Sequence, residues 1–233
     1  LDAGTNLSDA NTLTVNGGTV NVNASDTVGA LAGTGGTVDI DAGQALTIGG
    51  ATSTSYGGVI SGAGGLTQAG TGTLTLTAVN TITGPVNVNS GTISNGGILA
   101  LTGGTETVNS VSGAGAIQLN TGSLTLDSGA SAISGVISGT GSLTVTGTSV
   151  TTLTGVNTAT GATNVTGGTL NITGAGSVAS TAVNVSSGTL TTDSDALGAG
   201  TTVAVSGTGT FTSSGTDSFA ALTQSGGTID GSG

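Results

Sequence analysis

The sequence predicts an all-β chain wound as a single-stranded parallel β-helix, with roughly 18–21 residues per coil. Three observations lead there. Short apolar–polar alternations fill the chain, aliphatic residues recur at a fixed interval near 20, and one long passage is written twice.

The alternations set the elements. TLTVN (12–16), TVNVN (19–23), TVDID (37–41), ALTIG (45–49), TLTLT (73–77) and SLTLD (123–127) place Leu, Val or Ile on one side of a strand and Thr, Asn or Asp on the other. GG, GTG, GAG, NGG and SG between these runs are turn signals. Frequent Gly, Thr, Ser and Val leave no stretch with a helical preference.

The interval sets the architecture. Leu170, Leu190, Phe211 and Ile229 recur about every 20 residues, as do Val165, Val185 and Val205. Val20 and Val38, and Leu74 and Ile93, are spaced at about 18 to 19. Each period holds two or three strands, too few to bury their own apolar side, so stacked coils must share one core. A sandwich or barrel has no reason to keep aliphatics in step over ten periods. At ~4.8 Å per coil, the chain predicts eleven or twelve coils and a rod of about 55 Å.

The repeated passage fits the same winding. YGGVISGAGGLTQAGTGTLTLTAVNTITGPVNVNSGTI (56–93) returns as ISGVISGTGSLTVTGTSVTTLTGVNTATGATNVTGGTL (133–170). Val59-Ile60-Ser61-Gly62 matches Val136-Ile137-Ser138-Gly139, and Val79-Asn80-Thr81 matches Val156-Asn157-Thr158. The offset of about 77 is close to four coils. Asn80 and Asn157 are expected at equivalent corners, in a left-handed turn or with their amides bonded to backbone. Pro85 is expected at a corner, and Phe211, in a Leu position, in a slightly wider coil. One continuous solenoid over 1–233 is predicted, as a segment of a longer chain whose ends resemble mid-solenoid coils.

Composition narrows the function. The 233 residues include 47 Gly and no Lys, Arg, His, Cys, Met or Trp, with a formal charge of −11. Leu, Ile, Val and Phe make up roughly a quarter, enough for a core, which argues against disorder. Without cations the chain is unsuited to nucleic acid or to an anionic membrane surface. It contains no disulfide or thiol chemistry, no apolar run long enough for a membrane helix, and no signal peptide at its N-terminus.

Residues 28–97 carry a more specific text. VGALAGTGGTVDIDAGQALTIGG and the block from STSYGGVISG through VNSGTI closely resemble the passenger-associated transport repeat of bacterial autotransporter adhesins. The best-matching repeats are 56–97 and 133–174, the second copy weaker. The resemblance implies a right-handed β-helical passenger, exported through an outer-membrane barrel and displayed outside a Gram-negative cell. It also implies that the repeat assists secretion and folding. Family members usually carry Lys after the first LT, where this chain has Gln68 and Val145.

No catalytic, cofactor-binding or metal-binding residue is assigned, and no cofactor is implied. Asp39 with Asp41, and Asp193 with Asp195, lie two apart and are expected to share an outer strand face. Glycosidase chemistry needs paired carboxylates with one raised pKa, and neither pair has a base, aromatic platform or cation beside it in sequence. Calcium repeats require Asp at fixed offsets in the Gly-rich turns, which are absent. Ser-His-Asp arrangements need His, and a phosphate loop needs Lys. The sequons at Asn164, Asn171 and Asn184 follow from Asn and Thr alternating around an apolar residue, and read as outward ladder positions.

The expected role is therefore a non-catalytic stalk or spacer of a secreted surface adhesin, outside the cell. Its partners would be neighbouring coils or copies of itself end to end, and a glycan or protein receptor. The alternatives are a filament subunit stacking head to tail and an ice- or glycan-binding solenoid. The ice-binding reading needs Thr-x-Thr in the same place on most coils, and TVDID and TLNIT interrupt that.

Overall fold

A strand with one aliphatic and one hydroxyl side cannot bury itself alone, and a chain of such strands joined by Gly-rich corners is driven to coil. The computed structural model describes residues 7–82, 84, 86–88, 92–95, 98–100, 105–108 and 110–231. Among them are thirty strands of two to four residues and no helix. All strand pairings are parallel.

The strands form three faces of a solenoid. The first face is twelve strands deep, from Thr12–Thr14 to Thr228–Gly231. It comprises three hydrogen-bonded sheets joined by bridges at Gly33–Tyr56 and Gly113–Ile133. The second face has seven strands, from Thr19–Val22 to Ile137–Ser138, continued by bridges at Val156–Ser177 and Val178–Leu197. The third has eleven, from Asp26–Val28 to Ala221–Gln224. The result is a parallel β-solenoid, its first and third faces as many strands deep as the eleven or twelve coils that length suggests.

The expected ladders are in register. Leu170, Leu190, Phe211 and Ile229 are successive partners on the first face. Val145, Val165, Val185 and Val205 are successive partners on the third, all buried. Val20 pairs with Val38, and Leu74 with Ile93. Each buried Leu or Val contributes about 1.5–3 kcal/mol, whereas an outward Thr pair adds a few tenths. The inward ladder therefore fixes the register, since a slip of one residue would turn every aliphatic outward. On the outside of the third face, Thr27, Thr47 and Thr67 stack, as do Thr125, Thr144, Asn164 and Asn184.

The 77-residue repeat spans four coils. From Val59–Gly62 the second face passes through Val79–Ile82, Ile98–Ala100 and Ala116–Gln118 to Ile137–Ser138.

Corners are built where backbone lies on backbone. At the corner between the first and second faces, Gly115, Gly135 and Gly155 stack so closely that a Cβ on Gly135 would lie 1.9 Å from the Gly115 carbonyl oxygen. A Cβ on Gly155 would lie 2.4 Å from that of Gly135. Pro85, expected at a corner, lies outside the described residues.

Aromatic rings sit where the winding lengthens. Gly33 pairs with Tyr56 and Thr37 with Val59, steps of 23 and 22 residues. Leu190 pairs with Phe211 across 21 residues, and Phe219 meets the Phe211 ring edge-on at 6.5 Å. The wider coil expected at Phe211 is present, and Tyr56 marks a larger one.

Candidate functional site

The carboxylates singled out by spacing occupy corners as much as strands. Asp39 faces outward from Thr37–Ile40 and accepts a 2.7 Å hydrogen bond from Ser61 Oγ. Asp41 falls in the following turn, where its backbone carbonyl accepts the Gln44 N–H. Asp193 and Asp195 lie beyond the strand Thr189–Thr192, also in a turn. Asp193 accepts from the Gly174 N–H and Ser214 Oγ, and Asp195 adopts a left-handed φ of 60°. The expectation that each pair shares one strand face is thus corrected. Gly and Ser around these positions favour the turn over an extended run.

Asp217 carries more structure than any carboxylate picked out by spacing. Its Oδ1 accepts the N–H groups of Ala196 (2.9 Å) and Leu197 (3.1 Å). Its Oδ2 accepts Thr192 Oγ1 (2.6 Å) and Ser213 Oγ (3.0 Å). Four donors saturate the carboxylate and leave it no capacity for a ligand. The signal was a lone Asp in a polar loop, which spacing rules do not register.

Among the described residues no three His, Cys, Asp or Glu side chains converge on a point that could hold a metal ion. A cavity of about 10 Å³, bounded by Leu143, Leu153, Asn157, Thr163 and Ser180, has space for one water. Hollows of about 310 and 200 Å³ lie against the last and first described coils, the former lined by Phe211, Phe219 and Ile229. No helix of the described residues is long and apolar enough to cross a membrane.

The buried polar groups serve the winding. Asn80 and Asn157 occupy equivalent places four coils apart and point inward, both almost fully buried. Asn80 Oδ1 accepts the Ile60 N–H at 2.8 Å, and its Nδ2 donates to the Ala78 carbonyl. Asn157 repeats this with the Ile137 N–H and the Gly155 carbonyl, and donates also to the Ser177 carbonyl. Of the two expectations, the amide bond holds. The left-handed turn does not, since among the described residues the left-handed non-Gly positions are Asn120 and Asp195.

Gln68 also points inward, between the aliphatic position of Ile48 and that of Val88 in register. Its Nε2 donates to the carbonyls of Gly70 and Gly72, both at 3.1 Å, which pins the corner. Its Oε1 has no partner, and neither has the buried Tyr56 hydroxyl.

The sequon asparagines are half-buried ladder members. Asn184 Nδ2 donates to Asn164 Oδ1 at 2.9 Å. Asn171 faces outward from Thr169–Ile172.

Stacked coils, engaged asparagines and a four-coil period meet in two segments, residues 66–94 and 143–172, each of which matches the passenger-associated-transport-repeat family model. Two segments of the chain are thus similar to the passenger-associated transport repeat. They start 77 residues apart, on equivalent strands of the third face, and lie inside the broader limits expected from the sequence. No curated protein and no solved structure matches the chain. The repeats mark a β-helix of the kind found in autotransporter passengers.

Proposed function

We propose that this chain is a non-catalytic stalk segment of a secreted bacterial surface adhesin, working outside the cell as a rod that holds other parts away from the surface. One observation carries the reading: two segments that match the passenger-associated transport repeat start on equivalent strands, four coils apart, in one series of paired strands. Coils are hydrogen-bonded to their neighbours along the first and third faces, and along the second as a sheet up to Ile137–Ser138 and by bridges beyond it, so load and position pass along the backbone ladder. The likeness of the repeats to those of exported passengers supports the extracellular placement.

The test uses the four-coil period. Removing residues 60–136 joins Val59 directly to Ile137 and keeps every ladder in step. In the natural full-length protein, a stalk so shortened is still displayed, with its tip about 20 Å nearer the cell. Antibody accessibility and electron microscopy read the two quantities. Retained display with loss of binding to the protein's target would overturn the reading and make this segment a binding module.

A further inference from the structure

We propose that the corner Asn16-Gly17 is a site of self-modification, where Asn16 loses its side-chain amide as ammonia to attack by the next backbone nitrogen. Water is the co-reactant. Such chemistry is independent of the stalk role, and either can fail without the other.

The sequence holds two Asn-Gly pairs, Asn16-Gly17 and Asn95-Gly96. Gly96 lies outside the described residues. Asn16 is exposed at the corner between the strands Thr12–Thr14 and Thr19–Val22. Its Oδ1 accepts two hydrogen bonds from the next coil, from the Thr34 N–H at 3.1 Å and from Thr34 Oγ1 at 3.4 Å. The Gly17 N–H has no hydrogen-bond partner among the described residues. A Cβ on Gly17 would meet nothing within 4 Å, so nothing crowds the nitrogen from that side. This openness belongs to the corner itself. Gly35 takes the equivalent place one coil on, with the Asn16 corner beneath it. There too the N–H has no partner among the described residues, and a Cβ would come no nearer than 3.4 Å to a neighbour, against 1.9 Å at Gly135.

The geometry gives each group a part. The Gly17 nitrogen attacks Asn16 Cγ, and the new N–Cγ bond closes a ring. Negative charge develops on Oδ1, where the two Thr34 donors already point. The Cγ–Nδ2 bond then breaks, and ammonia leaves with the proton that the Gly17 nitrogen gives up. Water opens the resulting cyclic imide at either carbonyl. Opening at Cγ restores the main chain and leaves an aspartate side chain. Opening at the main-chain carbonyl leaves isoaspartate, with the backbone one methylene longer. Either way, one amide and one water become one carboxylate and one ammonium, and a chain of charge −11 with no cation gains one more negative charge. The strand asparagines are placed against this. Asn164, Asn171 and Asn184 lie inside strands and are followed by Val165, Ile172 and Val185. A stiff β-branched side chain there shields the attacking nitrogen, and the amides of Asn164 and Asn184 are tied to each other.

Ageing the purified chain in mildly alkaline buffer tests this, beside a matched sample in denaturant. The chain has Asp but no Lys or Arg, so an Asp-specific protease supplies the peptides, residues 9–25 being one of them. Mass spectrometry with fragmentation locates each amide-to-acid change. In the folded chain Asn16 should convert at least as fast as in the denatured one, while Asn164, Asn171 and Asn184 stay amides. Gly17→Ala, with room for its Cβ and a φ outside the left-handed region, should fold and slow the conversion at least several-fold. Circular dichroism verifies that it folds. An Asn16 that outlasts its denatured counterpart would overturn the proposal, since the fold would then protect the amide. So would a rate that Gly17→Ala leaves unchanged, since the nitrogen of residue 17 would not be the attacking atom. Equal conversion at the strand asparagines would overturn it too, since the corner would then confer nothing.

Discussion

At the scale of single residues, the most informative side chain is Tyr56. It is fully buried on the first face, and its hydroxyl has no hydrogen-bond partner. An unsatisfied buried hydroxyl costs about 1–3 kcal/mol. Tyr56→Phe keeps the ring and deletes the orphan, so it should raise the unfolding free energy by about 1 kcal/mol. Burial also pushes the phenol pKa above its ordinary value of 10.0. The chain has no Lys, Arg, His or Cys, and Tyr56 is its one Tyr, so no other side chain titrates above the carboxylate range. Between the unfolded and folded pKa values the unfolded chain has released this proton while the folded chain still holds it. Stability should therefore be level from above the carboxylate range up to about pH 10, then fall as pH rises further. Tyr56→Phe should abolish that fall. Near-ultraviolet absorbance follows the titration, and denaturant unfolding at a series of pH values follows the stability. A wild-type phenol titrating at its ordinary pKa, or a fall in stability that survives Tyr56→Phe, would refute the account.

At the scale of elements, stability rests on corners as much as on strands. Gly135 is buried where three corner glycines stack, and a Cβ there would strike the Gly115 carbonyl oxygen. Backbone on both sides cannot yield cheaply, so Gly135→Ala should cost about 2 kcal/mol or more. Gly200 is the control. A Cβ there meets nothing within 4 Å, and its φ lies outside the left-handed region. Gly200→Ala should be neutral or stabilising by up to about 1 kcal/mol. Thermal melts of the two variants measure the contrast, and equal effects would contradict it. The same comparison explains what could be read from sequence. Strand positions were legible, because Leu170–Leu190–Phe211–Ile229 announces its own period and the period is the register. The place of Tyr56 was less so, because corner length varies and only neighbouring coils reveal it. The Asp193–Asp195 spacing looked like a strand face because an alternation rule takes no account of a turn that ends the strand at Thr192. Asp217 was invisible because its four donors come from residues 4 to 25 positions away. Asn80 and Asn157 were placed together correctly by the repeat, but whether they formed a turn or an amide bond depended on the coil before them.

At the scale of the whole molecule, each coil touches only its neighbours, and stability is close to a sum of coil and interface terms. Damage should then stay local, and the two equivalent asparagines provide a matched pair of probes. Asn157→Ala removes the acceptor of the buried Ile137 N–H and the donor to the Gly155 and Ser177 carbonyls. Leaving such groups unpaired costs about 1–3 kcal/mol each. Amide hydrogen exchange should accelerate around residues 137, 157 and 177, with no change in the coils of Val20 and Val38. Asn80→Ala should do the same around residue 60, where it removes the acceptor of the Ile60 N–H, and should leave the coils of Val185 and Val205 protected. Hydrogen-exchange mass spectrometry on the two variants gives the range of each effect directly. If either substitution weakened protection evenly from one end to the other, the rod would be a single cooperative unit. Transmission of load along it would then fail all at once, not one coil at a time.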